Sequence, residues 1–164
     1  MFAGRLLAIA IHPSKAAPMA PRDSAAAVAG TGLVGDHYAL GTHGSGIVKP
    51  DQEVTLIERE AIEAAAREYQ LEFDHLTTRR NLLTEGVPLN HLVGREFAVG
   101  EVILRGIELC EPCGHLEKLT LPGIKRSLIH RGGLRAHVVR SGTMHVGDRI
   151  EPATPLATSS PSGP

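Results

Sequence analysis

An excess of either charge is missing from this 164-residue sequence: 17 Lys and Arg stand against 18 Asp and Glu, a formal net charge of -1. Without a global basic field, broad binding to nucleic acid or to an anionic membrane has no support in the composition. Cysteine is scarce as well. Only Cys110 and Cys113 are present, close together in the chain, so no disulfide framework is legible and a reducing, cytoplasmic setting is expected. Long apolar runs are also lacking. The run from Leu6 to Ile11 ends at His12-Pro13 and is too short for the core of a signal peptide or for a bilayer span, so neither export nor membrane insertion is expected. No repeat of fixed period is visible, which excludes solenoids and propellers.

What is present suits one globular domain. The chain is 42% hydrophobic and 21% charged, and a single core of this size buries roughly 70% of the surface that the unfolded chain exposes. Arg outnumbers Lys 13 to 4, which favours bidentate recognition of anions wherever some of those guanidinium groups converge, and otherwise means only a solvated surface.

Arg5 to Ile11 reads as a buried strand. His12 to Gly30 is rich in Ala and Pro and reads as a long loop, with room for a short strand near Ala27. Gly30 to Gly46 is dense in glycine and histidine, a composition that favours irregular backbone close to a ligand or another segment rather than a helix. Val54 to Ile57 reads as a strand, and Glu58 to Tyr69 as a helix with Ala61, Ile62, Ala65 and Tyr69 on one apolar stripe. Further strands are expected at Asn81 to Thr84, Glu96 to Val99, Val102 to Leu109, Leu134 to Arg140 and Arg149 to Glu151. Short helical pieces are expected after Cys113 and Pro122. About seven short strands with few helices predict a mainly β (α+β by content) fold built on a closed or nearly closed barrel, which leaves no free sheet edge. The predicted domain is 1–151. From Pro152 to Pro164 the chain is Pro, Ala, Ser and Thr with little to bury, and a disordered tail is expected.

Gly30, Gly32 and Gly35 satisfy G-x-G-x-x-G, with Asp51 at about the distance of an acidic ribose ligand. That fingerprint works only where the glycine turn opens a helix, and here it runs into Asp36-His37 and further glycines, so no dinucleotide site is expected. Cys110-Glu111-Pro112-Cys113 is the sharper chemical signal. A strand leads into it and a helical piece leaves it, so Cys113 is expected beside helix-terminal amides that favour a thiolate, able to attack a sulfur donor, carry a persulfide or bind a soft metal. A structural zinc site would need four ligands, whereas Cys110, Cys113 and His115 supply three locally. Two thiols without a role remain the plain alternative.

Thr78-Arg79-Arg80-Asn81 is the best anion-binding candidate. On a strand, positions i and i+2 share a face, so Arg79 and Asn81 are expected to meet the same ligand while Arg80 makes structural contacts. The nine His residues do not have a coherent metal-binding spacing. His37 and His130, each beside a charged residue and close to glycines, are kept as site candidates.

The ordered series Gly32 to His37, Gln52 to Glu58, Thr78 to Asn81, Leu92 to Phe97, Cys110 to Cys113, Gly133 to Ala136 and Gly142 to Asp148 resembles the MOSC domain, the C-terminal domain of molybdenum cofactor sulfurase. The likeness runs from about Arg5 to Glu151. It implies a predominantly β fold around a closed barrel, similar to the barrel domain of pyruvate kinase. In relatives that bind the molybdenum cofactor, the cysteine matching Cys113 ligates molybdenum, and in the wider family it is proposed to carry sulfur. The R-x-N element contacts the phosphate side of the pterin, which maps to Arg79 and Asn81. The expected site is therefore Cys113 as catalytic residue and molybdenum ligand, with Arg79, Asn81, Asp36, His37, Thr78 and His130 around a molybdopterin-type cofactor. The sulfurase and the mitochondrial reductase relatives carry an additional N-terminal domain, and neither a pyridoxal-phosphate desulfurase module nor that part of the cofactor enclosure is expected here. The resemblance implies a pyridoxal-phosphate-dependent sulfurase or an electron-transfer protein as partner, and reduction of N-hydroxylated compounds as one activity. The competing function is a non-catalytic structural or regulatory module in which Cys110 and Cys113 hold zinc or stay as thiols.

Overall fold

The computed structural model describes residues 1–41 and 45–154. In chain order the strands are β1 (Gly4–Ile11), β2 (Ala20–Arg22), β3 (Ser24–Val28), β4 (Gly32–Leu33), β5 (Val54–Glu58), β6 (Leu82–Glu85), β7 (Glu96–Val99), β8 (Val102–Leu109), β9 (Leu134–Arg140), β10 (Gly142–His145) and β11 (Arg149–Pro152). The helices are α1 (Arg59–Tyr69), α2 (His75–Thr78), α3 (Gly114–Leu119) and α4 (Ile124–Ser127).

Seven strands pair in the order β11, β7, β8, β9, β5, β6, β1, and β1 returns to pair with β11, so the sheet closes on itself. Every pairing in that ring is antiparallel except β5 with β6, where α1 and α2 lie in the connection. Closure follows from the period-two pattern of the strands. Along β8, Val102, Leu104 and Gly106 are buried while Arg105 is exposed, and along β9 Leu134, Ala136 and Val138 are buried. Phe97, Leu6, Leu56, Leu82, Leu104 and Leu134 fill the interior. Each such side chain stabilises the fold by about 1.5–3 kcal/mol relative to an exposed one. A smaller cluster, Ile57, Ile62, Ala65, Leu116, Ile124 and Leu128, packs the helices against the barrel wall.

Strand register places the site. Leu109 pairs with Leu134, Leu134 with Leu56, Leu56 with Leu82 and Leu82 with Ile9, forming one rung across five strands. Cys110, Arg135, Thr55 and Asn81 are chain neighbours of that rung, and so residues far apart in sequence meet at one place.

Several elements depart from the sequence expectation. β2, β4, β10 and α2 were not anticipated, being only two to four residues long and so too short to show a period. Ser141-Gly142 reads as a turn, yet Gly142 opens β10 and pairs with Ala27. The strand expected to open at Asn81 opens at Leu82. Tyr69, expected on the apolar stripe of α1, is more than a third exposed and lies beneath the guanidinium groups of Arg126 and Arg131. Pro152 is a β11 residue paired with Phe97, and the Ala153 N–H donates to the Glu96 carbonyl at 3.2 Å, so the fold runs past the boundary expected at Glu151. The rest of the expected tail, 155–164, and His43 lie outside the described residues. Among the described residues no helix is long and apolar enough to cross a membrane.

Candidate functional site

A cavity of about 220 Å³ opens beside the rung, with His12, Tyr38, Thr55, Arg79, Arg135, Cys113 and His115 in its walls together with Gln52, Arg80, Asn81, Cys110 and Leu116. The two cysteines differ sharply. Cys110 is 1% exposed, and its N–H donates to the Gly133 carbonyl at 2.8 Å. Cys113 is exposed at the N-cap of α3, and its thiol caps no backbone amide. Cys113 is therefore the thiol that an incoming ligand can reach, and Cys110 is fixed in the wall.

Arg80 holds that wall in place. Its guanidinium donates to three main-chain carbonyls: from Nε to Gly132 at 2.8 Å, from Nη1 to Thr78 at 3.2 Å and from Nη2 to Cys110 at 2.9 Å. The approach is closed from the other side by Gly133. Its φ of 107° lies in the left-handed region, and a Cβ there would collide with the Leu56 carbonyl.

Arg79 is arranged differently from the expectation. Thr78 ends α2 and Arg79 is its left-handed C-cap, φ 59°, so the rule that i and i+2 share a strand face does not apply to Arg79 and Asn81. The turn is set by Asp74, whose carboxylate accepts from the Thr77 N–H at 3.0 Å, and by the Thr78 hydroxyl, which donates to the His75 carbonyl at 2.6 Å. The Arg79 guanidinium donates to the carbonyls of Ala17 at 2.7 Å and Lys15 at 3.1 Å. These bonds use two of its five N–H groups and leave three for a ligand. Burial pulls the Arg79 guanidinium below its ordinary range, against the opposing fields of Tyr38 and Asp36. It stays a cation whose bonds are to neutral carbonyls, which is an electrostatic demand for an anion.

Asn81 supports the site from behind. Its Oδ1 accepts from the Thr55 N–H and hydroxyl, and its Nδ2 donates to the Ala10 carbonyl and to Asp36 Oδ1, both at 3.1 Å. Its hydrogen-bonding capacity is filled within the fold. Asp36 is likewise interior: it accepts from the His12 N–H at 2.7 Å, faces His12 Nδ1 at 2.9 Å and caps the 3₁₀ turn His37–Leu40 through the Tyr38 N–H. Burial alone would raise the Asp36 carboxyl, but hydrogen bonds and the field of His12 outweigh it and hold the group below its ordinary range.

Of the residues expected from sequence, Cys113, Arg79 and Asn81 line one cavity. Asp36 and Thr78 are buried supports outside its walls. His37 and His130 lie away from it. The His37 N–H donates to the His12 carbonyl, and His130, in a left-handed conformation, faces Glu111 at 3.4 Å on the surface. Sequence reasoning missed His12, Tyr38, Gln52, Thr55, His115 and Arg135 as walls. Arg135 was legible as an outward position on a predicted strand, but its pairing with Thr55 needed the long-range register. Among the described residues no three His, Cys, Asp or Glu side chains converge as a metal-binding cluster. A larger open groove of about 1300 Å³ lies elsewhere, over β7, β8 and β9 near Arg95, Arg105 and Arg140, and contains neither thiol.

The MOSC domain family model matches residues 37–151. The chain belongs to the MOSC domain family. Its fold is similar to that of YuaD from Bacillus subtilis, with a TM-score of 0.77 at 18% identity, over 92% of this chain and 97% of that one. It is also similar to YiiM from Geobacillus stearothermophilus, with a TM-score of 0.68 at 14% identity, over 92% and 75%. YiiM from Escherichia coli gives 0.66 at 18% identity, over 93% and 71%. A search of curated protein sequences found no match.

Proposed function

We propose that this MOSC protein holds a molybdopterin-type molybdenum cofactor, or carries sulfur, through the thiol of Cys113. The observation behind this reading is the presence in one cavity of an exposed thiol and a partly buried arginine whose hydrogen bonds, among the described residues, go to main-chain carbonyls. The donor set fits such a cofactor. A soft thiolate suits the metal, and the spare N–H groups of Arg79, with Arg135 beside them, suit the phosphate. The cavity is smaller than the roughly 300–1,000 Å³ of pockets that enclose a whole ligand, so its walls would grip one part of the cofactor. When bound, the cofactor supplies the redox metal for reducing a small N-hydroxylated compound.

In the sulfur-carrying mode the chain's own residues do the chemistry. The Cys113 thiolate attacks the outer sulfur of a persulfide on a donor protein such as a pyridoxal-phosphate-dependent sulfurase. A new S–S bond forms at Cys113, the donor's S–S bond breaks, and the donor cysteine leaves as thiolate, with no net oxidation. Cys110, buried and held by Arg80 and Gly133, keeps the loop rigid during the exchange.

The test is to load apo-protein with molybdopterin-type cofactor and, separately, with a persulfide donor, then measure bound molybdenum and the added sulfur mass. Cys113→Ser is expected to lose both, and Cys110→Ser to retain at least one. Equal retention by wild type and Cys113→Ser overturns the proposal.

A further inference from the structure

We propose that His12 is the positioning residue of the anion site: by bridging Asp36 and the main-chain carbonyl of Arg79 it holds Arg79 in the conformation from which its guanidinium lines the cavity. This rests on the reading of Arg79 as an anion anchor.

His12 follows directly on β1 and is 6% exposed. Its Nδ1 faces Asp36 Oδ1 at 2.9 Å and its Nε2 faces the Arg79 carbonyl at 3.0 Å. A carbonyl and an ionised carboxylate can only accept, so the ring donates at both contacts, from Nε2 to Arg79 and from Nδ1 to Asp36. The ring thus links two segments, 24 and 67 residues away in sequence, through opposite nitrogens. Its plane is set by the Tyr38 ring, which lies edge-on at 5.0 Å between centroids.

The link matters because Arg79 is one of three described non-glycine residues with positive φ, a conformation that costs free energy in an L-residue unless its surroundings hold it. Its N–H donates to the Leu76 carbonyl, which fixes one side of the residue. The other side is its carbonyl, and the bond made to it is that of His12. The N–H end of the same peptide has only a long bond, 3.4 Å from Arg80 N to the Thr78 hydroxyl, so loss of the His12 bond lets the peptide tilt and moves the guanidinium away from the cavity wall. Asp36 in turn is fixed by the His12 and Tyr38 amides and by Asn81, so it is a firm base for the ring.

Two substitutions separate the two ends of the bridge. His12→Gln places an amide N–H where Nε2 stood and keeps a donor for the Arg79 carbonyl. His12→Asn reaches only the Asp36 side. The measurement is calorimetric titration of wild type, both variants and Arg79→Ala with inorganic phosphate, alongside thermal melts. The expected result is that His12→Asn binds phosphate about tenfold more weakly and His12→Gln within about twofold of wild type, with Arg79→Ala at least as weak as His12→Asn. Wild-type affinity in His12→Asn beside lost affinity in Arg79→Ala overturns the positioning role alone. So does lost affinity in a folded His12→Gln, which also decides the matter if His12→Asn does not fold. Wild-type affinity in Arg79→Ala, or no phosphate binding by wild type, overturns the anion reading itself and this role with it.

Discussion

Arg80 Nη2 donates to the main-chain carbonyl of Cys110 at 2.9 Å, tying the entrance of β6 to the loop that presents Cys113. Its other two bonds reach Gly132 and Thr78, so one buried side chain joins three segments that border the cavity. Arg80→Ala leaves those carbonyls without a donor in an interior where each lost partner costs about 1–3 kcal/mol. The variant is expected to melt several degrees lower and to expose Cys110, so that a thiol reagent titrates two rapidly reacting cysteines in place of one. An unchanged melting temperature with Cys110 still unreactive would show that the loop is held by other means.

Arg79→Lys keeps the charge but removes the planar fork and at least one of the bonds to Ala17 and Lys15. Anion affinity is expected to fall by roughly 1–3 kcal/mol. Titration with phosphate at two salt concentrations checks this, and a Lys variant that binds like wild type would mean that charge alone is read at this position.

Gly133→Ala adds a Cβ against the Leu56 carbonyl at a backbone φ of 107°. The cost is expected to be about 3 kcal/mol or more, because strain and overpacking add at one site. Chemical denaturation checks it. A loss below 1 kcal/mol would show that β5 and β9 separate readily.

His75 sets a pH dependence. Burial lowers its pKa, partly offset by the bond from Nε2 to the Arg80 carbonyl at 2.8 Å and by Asp74. A histidine whose folded pKa lies below its unfolded value of about 6.5 contributes stability that is present above that pH. The contribution is lost as pH falls through the window between the two values, since the unfolded chain takes up the proton first. The melting temperature is expected to drop between pH 7 and pH 5, and His75→Gln to flatten that drop. An equal slope in the variant would assign it to other groups.

Where the sequence was legible, it was legible for local reasons. The limits of β8 and β9 follow from alternating apolar residues, and the start of α3 from the change of pattern at Cys113. Closure of the barrel was readable from the number of short strands, whereas β2, β4, β10 and α2 are too short to leave a pattern. The face shared by Arg79 and Asn81 was misjudged because Thr78-Arg79 ends a helical turn. Asp74 with Thr77 three residues on was the capping signal for that turn. His12 and Arg135 belong to the site through pairings with residues 67 and 80 positions away, respectively, Arg79 and Thr55. Such contacts exist only once the barrel closes.

The most direct measurement is the content of wild type and Cys113→Ser purified without oxygen: molybdenum, pterin and zinc by elemental and fluorescence analysis, and persulfide by intact mass. Wild type is expected to carry molybdenum with pterin, or an added sulfur at Cys113, and Cys113→Ser to carry neither. Stoichiometric zinc in wild type, lost equally on Cys110→Ser and Cys113→Ser, would contradict the account.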